Sequence, residues 1–509
     1  MRVRWGLLIT MLAAAGCAPG AVSPVARAPQ AIAPRFALYQ ANLALDLQTE
    51  RTVQALPAPA AWDTVVVTVN SPRLKAPLVS PVFTSAASLS VGFTVPVGSA
   101  SIEATLFQGG ATGSLIASGS TTLALLAGPN VATISVMPEG STVGTLAGTG
   151  TPGFSPEGTA AASAQLNRPT DVAVDASGNV IFVEEGNHRV RMIPKVPGTY
   201  FGQAMLAGRV YTVAGTGAVG LAGDNGPATS AQLNAPSGLA LDASGNLYIA
   251  DTNNNKIRRV DSAGIITTSV GNGIAGGSAD GMNAATAQIK GPTGVAVDAS
   301  GNLFVADTQN HLVCMVPAAA GNYFGKTMTA QYLYKIAGTG TMGFNGDGAY
   351  GTSSQLNAPT ALRVDDMGNL IIADTGNNRV RILAAAAGNR FTLSLAAFYL
   401  YTITGGGASS ADFIPAMSAK LESPAGIALD AAGNLLVADS LNHRIRKVVP
   451  GGQISTLAGG LAAGFGNGLL MNAKFNSPRG LVLTPSGEVL IADRDNHRLR
   501  LLRAGMGGL

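Results

Sequence analysis

The sequence predicts an all-β chain: a closed six-bladed β-propeller preceded by a small β-sandwich. Three observations predict it. Six segments align without gaps, at 164–193, 231–260, 287–316, 354–383, 419–448 and 473–502. Each holds three apolar runs separated by short turns, as at 238–241, 247–250 and 257–260, the pattern of strands in a repeated sheet. A fourth run follows each of the first five copies, at 210–217, 265–273, 332–340, 399–407 and 453–460. The sixth copy of that run lies ahead of the first segment, at 141–150. An N-terminal strand that completes the last blade closes the ring and removes an exposed strand edge, which an open stack of repeats does not require.

The turns agree with this reading. Between the first two runs stands Asp-x-x-Gly-Asn, as in Asp242 to Asn246, and only the sixth copy lacks the Asp, carrying Thr484. A carboxylate there can accept from the turn's own N–H groups, while Gly245 can take positive φ. The 65 Gly, the 27 Pro and a charged content of only 12% suit short strands and tight turns rather than long charged helices. The formal charge is +4, of which Arg2 and Arg4 supply two units from a segment expected to be removed. Such a balance does not support nucleic-acid binding.

Ahead of the repeats three further segments are expected. Arg2 and Arg4 precede an apolar run, 6–15, that is too short to span a bilayer and reads as a cleaved leader. Leu12-Ala13-Ala14-Ala15-Gly16-Cys17 resembles a bacterial lipobox, with Ala14 where that motif favours Leu. The resemblance implies a signal peptide over 1–16, acylation of Cys17 and, with Ala18 rather than Asp next, an outer-membrane address. Cys314 would then have no disulfide partner, since the chain has two cysteines. Residues 17–60 are rich in Ala and Pro and read as a tether. Residues 61–139 carry alternating runs at 64–70, 88–95, 101–107, 114–125 and 130–136, expected to form an Ig-like or transthyretin-like sandwich acting as a spacer or adhesive module. The propeller takes 141–509.

The end of each second run and the turn after it carry the most specific motif. Asn187-His188-Arg189-Val190, Asn442-His443-Arg444-Ile445 and Asn496-His497-Arg498-Leu499 resemble the NHL repeat, with variants at Asn254-Asn255-Lys256-Ile257, Asn310-His311-Leu312-Val313 and Asn377-Asn378-Arg379-Val380. That resemblance covers 141–509 and implies a six-bladed propeller. Glu184, Asp251, Asp307, Asp374, Asp439 and Asp493 share one repeat position, and the Asn residues share another. A group present in every blade is expected to hold the blade together, with the following Arg residues pairing with the carboxylates. All four histidines, His188, His311, His443 and His497, occupy one position, so on separate blades they stand too far apart to share a zinc ion. Some NHL-type propellers are zinc lyases with extra histidines and disulfides, and the sequence has neither.

A calcium-dependent hydrolase similar to the six-bladed lactonases is the rival reading, with its site in the central channel. For it speak Asp171, standing where 238, 294, 426 and 480 are Gly, and the acidic pair Glu184-Glu185. Asp224 and Asp347, in the loops entering blades two and four, lack the EF-hand pattern. The favoured reading is a non-enzymatic recognition or scaffolding module, monomeric, anchored to the membrane through lipid and binding protein or carbohydrate on a propeller face. It needs no cofactor, though calcium remains compatible with it. Candidate contact residues are Asp224 and Asp347, with Tyr200-Phe201 and Tyr323-Phe324 in the repeated loops 198–203 and 321–326.

Overall fold

The computed structural model describes residues 141–503, and, of the chain before them, the backbone of strands between Trp5 and Pro138. In that earlier unit Thr64–Asn70, Gly98–Gln108 and Ser114–Leu125 are antiparallel neighbours. Cys17, most of the tether and the side chains of the expected sandwich lie outside the described residues. Thr142–Arg503 forms its own compact unit.

That unit is a six-bladed propeller. Blade one is the meander Pro169–Val174, Val180–Glu184, Arg189–Ile193 and Arg209–Ala214, innermost strand first. Blades two to five repeat it from the copies beginning at 231, 287, 354 and 419. Blade six is Pro478–Leu483, Val489–Asp493 and Arg498–Arg503, and its fourth strand is Thr142–Ala147, with Thr142 opposite Arg503 and Val143 opposite Leu502. The expected closure is therefore present. The imported strand even reproduces the bulge between Thr145 and Ala147 that interrupts the third-to-fourth pairing in the other blades, as at Val190/Arg191 and Ile257/Arg258.

The turn chemistry follows the sequence. Asp242 Oδ1 accepts from Ser244 N and Asn246 N, both at 2.9 Å, and its Oδ2 accepts from Asn246 Nδ2 at 2.7 Å. Gly245 sits at φ +78°, where a side chain would be strained. In blade six Thr484 Oγ1 takes over the acceptor role, receiving Glu488 N at 3.0 Å.

Each blade has a fifth, two-residue strand that sequence periodicity did not reveal. Thr159–Ala160, for example, pairs with the outermost long strand of blade one, and Ile414–Pro415 with that of blade five. A single 3-10 turn follows each, as at Ala161–Ser163. These edge strands partly cover the outermost ladder, and Pro227 and Pro415 within them offer no donor to a further strand. The core lies between blades. One apolar cluster joins Ile181, Val183 and Met192 of blade one to Leu239, Leu247 and Val260 of blade two.

Candidate functional site

The repeated polar residues form a framework that ties the incoming loop of each blade to its second-to-third turn. In blade two Asp251 Oδ1 accepts from Asn234 N at 2.8 Å, and Asn254 Nδ2 donates to Asp251 Oδ2 at 2.8 Å and to Gly220 O at 2.5 Å. Behind it lies Arg258, fully buried, with Asp251 at 3.4 Å on one side and Asp224 at 2.9 Å on the other. A buried guanidinium is tolerable only when carboxylates and carbonyls enclose it. Arg191, Arg381, Arg446 and Arg500 occupy the same place in blades one, four, five and six. Burial pushes the partner carboxyls up, Asp251 and Asp374 to about 6 and Glu184 to about 7. Blade three departs from the pattern: Cys314 replaces the arginine, and Asp280 instead pairs with Lys326 at 2.5 Å.

This accounts for two of the candidate contact residues. Asp224 pairs with Arg258 and accepts from Thr268 Oγ1 at 2.7 Å, and Asp347 pairs with Arg381 at 3.0 Å and accepts from Thr402 Oγ1 at 3.0 Å. Glu157 and Asp412 do the same in blades one and five. The spacing of these acids to the buried arginines is the signal that identifies them as one set.

The histidines act between blades. Each follows a 3-10 turn in left-handed conformation, His188 at φ +52°. Its Nδ1 accepts from the N–H of a residue starting the next blade: Ala235 to His188 at 2.9 Å, Ala358 to His311 at 3.1 Å, Ser477 to His443 at 3.2 Å and Arg168 to His497 at 3.2 Å. Where the position is Asn, its Oδ1 does the same, as from Gly291 N to Asn255 at 2.9 Å. Burial lowers the pKa of His188, His311 and His497 below the ordinary value, as expected of imidazoles used as acceptors. Sequence reasoning found that the four histidines share one repeat position and serve no common zinc ion, but it missed the clasp, because its donor lies in the next repeat.

The aromatic pairs lie on the opposite face. Tyr200-Phe201 and Tyr323-Phe324 sit at the tips of small hairpins, Gly198–Tyr200 with Gln203–Met205 and Gly321–Tyr323 with Lys326–Met328. Both Phe residues adopt φ +48° and are followed by Gly at +74° and +75°, the two-residue turn favoured by hairpins. All four rings are partly buried against inter-blade clusters, and Phe324 meets Phe304 edge-on at 6.2 Å. A third hairpin, Gly388–Arg390 with Leu393–Leu395, has the same form in blade four. Arg390 and Thr392 in place of Tyr and Gly hid it from the motif. The structure thus brings Tyr200 near Phe201 and Tyr323 near Phe324, but gathers the six candidates into no single site.

At the centre the six innermost strands surround a channel of about 40 Å³. Close approach explains its glycines: a Cβ on Gly238, Gly294 or Gly426 would run into the carbonyl oxygen of Thr293, Thr360 or Arg479. The wall includes Thr170, Ser237, Thr293, Thr360, Asp171, Arg363 and Arg479. Asp171 is the one carboxylate among the lining residues. Burial raises its pKa and Arg363 opposes the shift, while its oxygens already accept from Val172 N at 2.9 Å and Leu239 N at 3.0 Å. Among the described residues no group of three or more His, Cys, Asp or Glu side chains stands close enough to hold a metal ion. A hard cation such as calcium needs six or more oxygens, and one already engaged carboxylate fits it poorly.

Profiles of known families match this region. One described as NHL repeat matches 290–314, 356–383, 421–448 and 475–500, and one described as Teneurin NHL domain matches 212–278. The chain is 29% identical over 360 residues to NHL repeat-containing protein 2 of Gallus gallus, covering 66% of this chain and 46% of that protein. It is 25% identical over 363 residues to Protein SUPPRESSOR OF QUENCHING 1, chloroplastic, of Arabidopsis thaliana, covering 68% and 31%. The matches thus span less than half the length of these curated relatives. Among solved structures it resembles an auxiliary nutrient binding protein from Bacteroides ovatus ATCC 8483, at 13% identity and a TM-score of 0.49, covering 92% of this chain and 95% of that one. It also resembles a gluconolactonase from Xanthomonas campestris, at 14% identity and a TM-score of 0.40, covering 72% and 90%. The propeller is built of NHL repeats.

Proposed function

We propose that this chain is a recognition or scaffolding module rather than an enzyme, presented in the cell envelope by a lipid on Cys17. One observation carries the reading. The polar side chains that recur in each blade are occupied with holding the blades, while large apolar side chains stand exposed on the incoming loops of one face. They are Phe154, Val219, Leu221, Ile274, Met342, Phe344, Leu461 and Phe465, drawn from five of the six loops. Clustered exposure of this kind marks contact surfaces. Three of them stack on arginines: the rings of Phe154, Phe344 and Phe465 lie 4.1, 3.9 and 3.8 Å from the guanidinium carbons of Arg189, Arg379 and Arg498. Preformed aromatic anchors lose little entropy on binding.

The test is a variant with Val219, Ile274, Met342 and Leu461 all changed to Ser. It should melt like the parent, since these side chains are outside the core, yet lose saturable retention of envelope components on the immobilised chain. Equal retention by parent and variant would refute the assignment of that face. Membrane fractionation of Cys17→Ser checks the location: the variant should move to the soluble fraction.

A further inference from the structure

The hydroxyl pattern along the channel lapses at Ala425 of blade five and is replaced by charges where blade six meets blade one, and there two polar groups are left without partners among the described residues. In blades two, three and four the residue before the channel-lining position is Ser237, Thr293 or Thr360. Each hydroxyl lies 2.6 Å from a hydroxyl of the second-to-third turn, Thr252, Thr308 or Thr375. Each also reaches a carbonyl of the following blade, as Ser237 does to Thr293 O at 3.2 Å and Thr293 to Thr360 O at 3.3 Å. That ladder satisfies itself. Where blade six meets blade one, the four positions are Arg479, Arg494, Thr170 and Glu185. Arg494 takes Glu185 at 2.8 Å and Asp495 at 2.8 Å. Glu185 is thereby turned away, and the Thr170 hydroxyl is buried with no hydrogen-bond partner. The Arg479 guanidinium lines the same channel, and no hydrogen bond or ion pair within 4 Å engages it among the described residues.

The charges facing Arg479 are those of Arg494, Arg168, Glu185 and Asp495. With Arg479 included, three cations stand against two carboxylates, both committed to Arg494. Deeper in the channel Arg363 and Asp171 offset each other. One positive charge is left over at the partly open mouth of the channel, and partial burial depresses the Arg479 pKa. A half-buried cation without a counter-charge attracts an anion, and a guanidinium fork matches a planar carboxylate. The channel volume of about 40 Å³ accepts a group of a few heavy atoms.

We propose that the channel mouth at the junction of blades six and one is a binding site for a small monocarboxylate, paired with Arg479 and hydrogen-bonded by Thr170. The site opens on the same face as the apolar loops but uses none of their side chains, so it holds whether or not those loops take a partner.

The experiment uses the full chain, with sodium acetate and sodium formate as probes against sodium chloride at equal ionic strength. Melting temperature and calorimetric titration are the readouts. Acetate or formate should raise the melting temperature saturably where chloride does not. Arg479→Gln should abolish that rise while melting no lower than the parent without the probe, because an uncompensated cation has been removed. Thr170→Val, which keeps shape and fold, should weaken the probe roughly tenfold. An equal response to chloride, or carboxylate binding that survives in Arg479→Gln, overturns the proposal. The four-Ser loop variant should keep the response, which separates failure here from failure of the loop-face assignment.

Discussion

The junction of blades six and one differs from the junctions between blades two, three and four, although every junction uses the same repeat. The continuous junctions join segments that follow one another along the chain, and a ladder of Ser and Thr hydroxyls lines their inner edge. At the closing junction the last blade must capture Thr142–Ala147 from the far end of the propeller. There the hydroxyls give way to ionic contacts, Arg494 with Glu185, beside the clasp from Arg168 N to His497. Closing a long loop costs entropy that neighbouring repeats do not meet. The difference shows where the repeat was free to change: backbone ladders and inter-blade clasps maintain the ring, while side-chain pairs such as the channel hydroxyls give way to charges where chain continuity is lost.

The comparison can be broken most severely by deleting 142–147. Blade six would then end in an unpaired third strand, and the melting temperature should fall by more than about 10 °C, or folding should fail. An unchanged melt would contradict the closure. Removal of a buried arginine should rank next. Arg258→Leu strands the buried Asp251 without its cation, while Asp224 keeps Lys256 at 3.4 Å, at a cost of about 3–5 kcal/mol by denaturant titration. Cys314→Ser in blade three, which has no such cation, should cost less. A smaller effect, about 1 kcal/mol, is expected from Glu185→Gln at the junction, and it should shrink as salt rises.

The smallest effect is a pH dependence. The folded-state pKa of His497 lies below its ordinary 6.5, so the unfolded chain binds the extra proton first. Its contribution to stability is present at neutral pH and is lost as pH falls through about 6.5. The buried Asp251, Asp307 and Asp374 work in the opposite sense: with folded values of about 6 they favour the native state below their ordinary range and lose that contribution as pH rises. His497→Asn keeps an acceptor, as Asn255 and Asn378 already provide, and removes the titration. Its loss of melting temperature between about pH 7.5 and about pH 5 should be smaller than the parent's by about a degree or two.

Much of the molecule could be read from the chain alone because the signal was repeated. Three runs of alternating or continuous apolar residues in six copies determine strand order. The displaced copy at 141–150 determines which strand closes the ring. The Asp-x-x-Gly-Asn turns act within five residues, so their hydrogen bonds were legible too. The two-residue edge strands were not, since two residues carry no period, and the hairpin at Gly388–Leu395 lacked the Tyr and Gly that marked its siblings.

Sequence alone therefore settled the number of blades, the closing strand and the chemistry of the local turns, all of which depend on residues near one another or on spacing that recurs. Tertiary structure decided what the polar residues do. The clasp from one blade's histidine to the next blade's backbone, the acids on either side of Arg258 and the unpartnered Arg479 and Thr170 all join residues from separate loops or separate repeats. Those contacts rest on distance and burial, which no linear pattern encodes until the ring is closed.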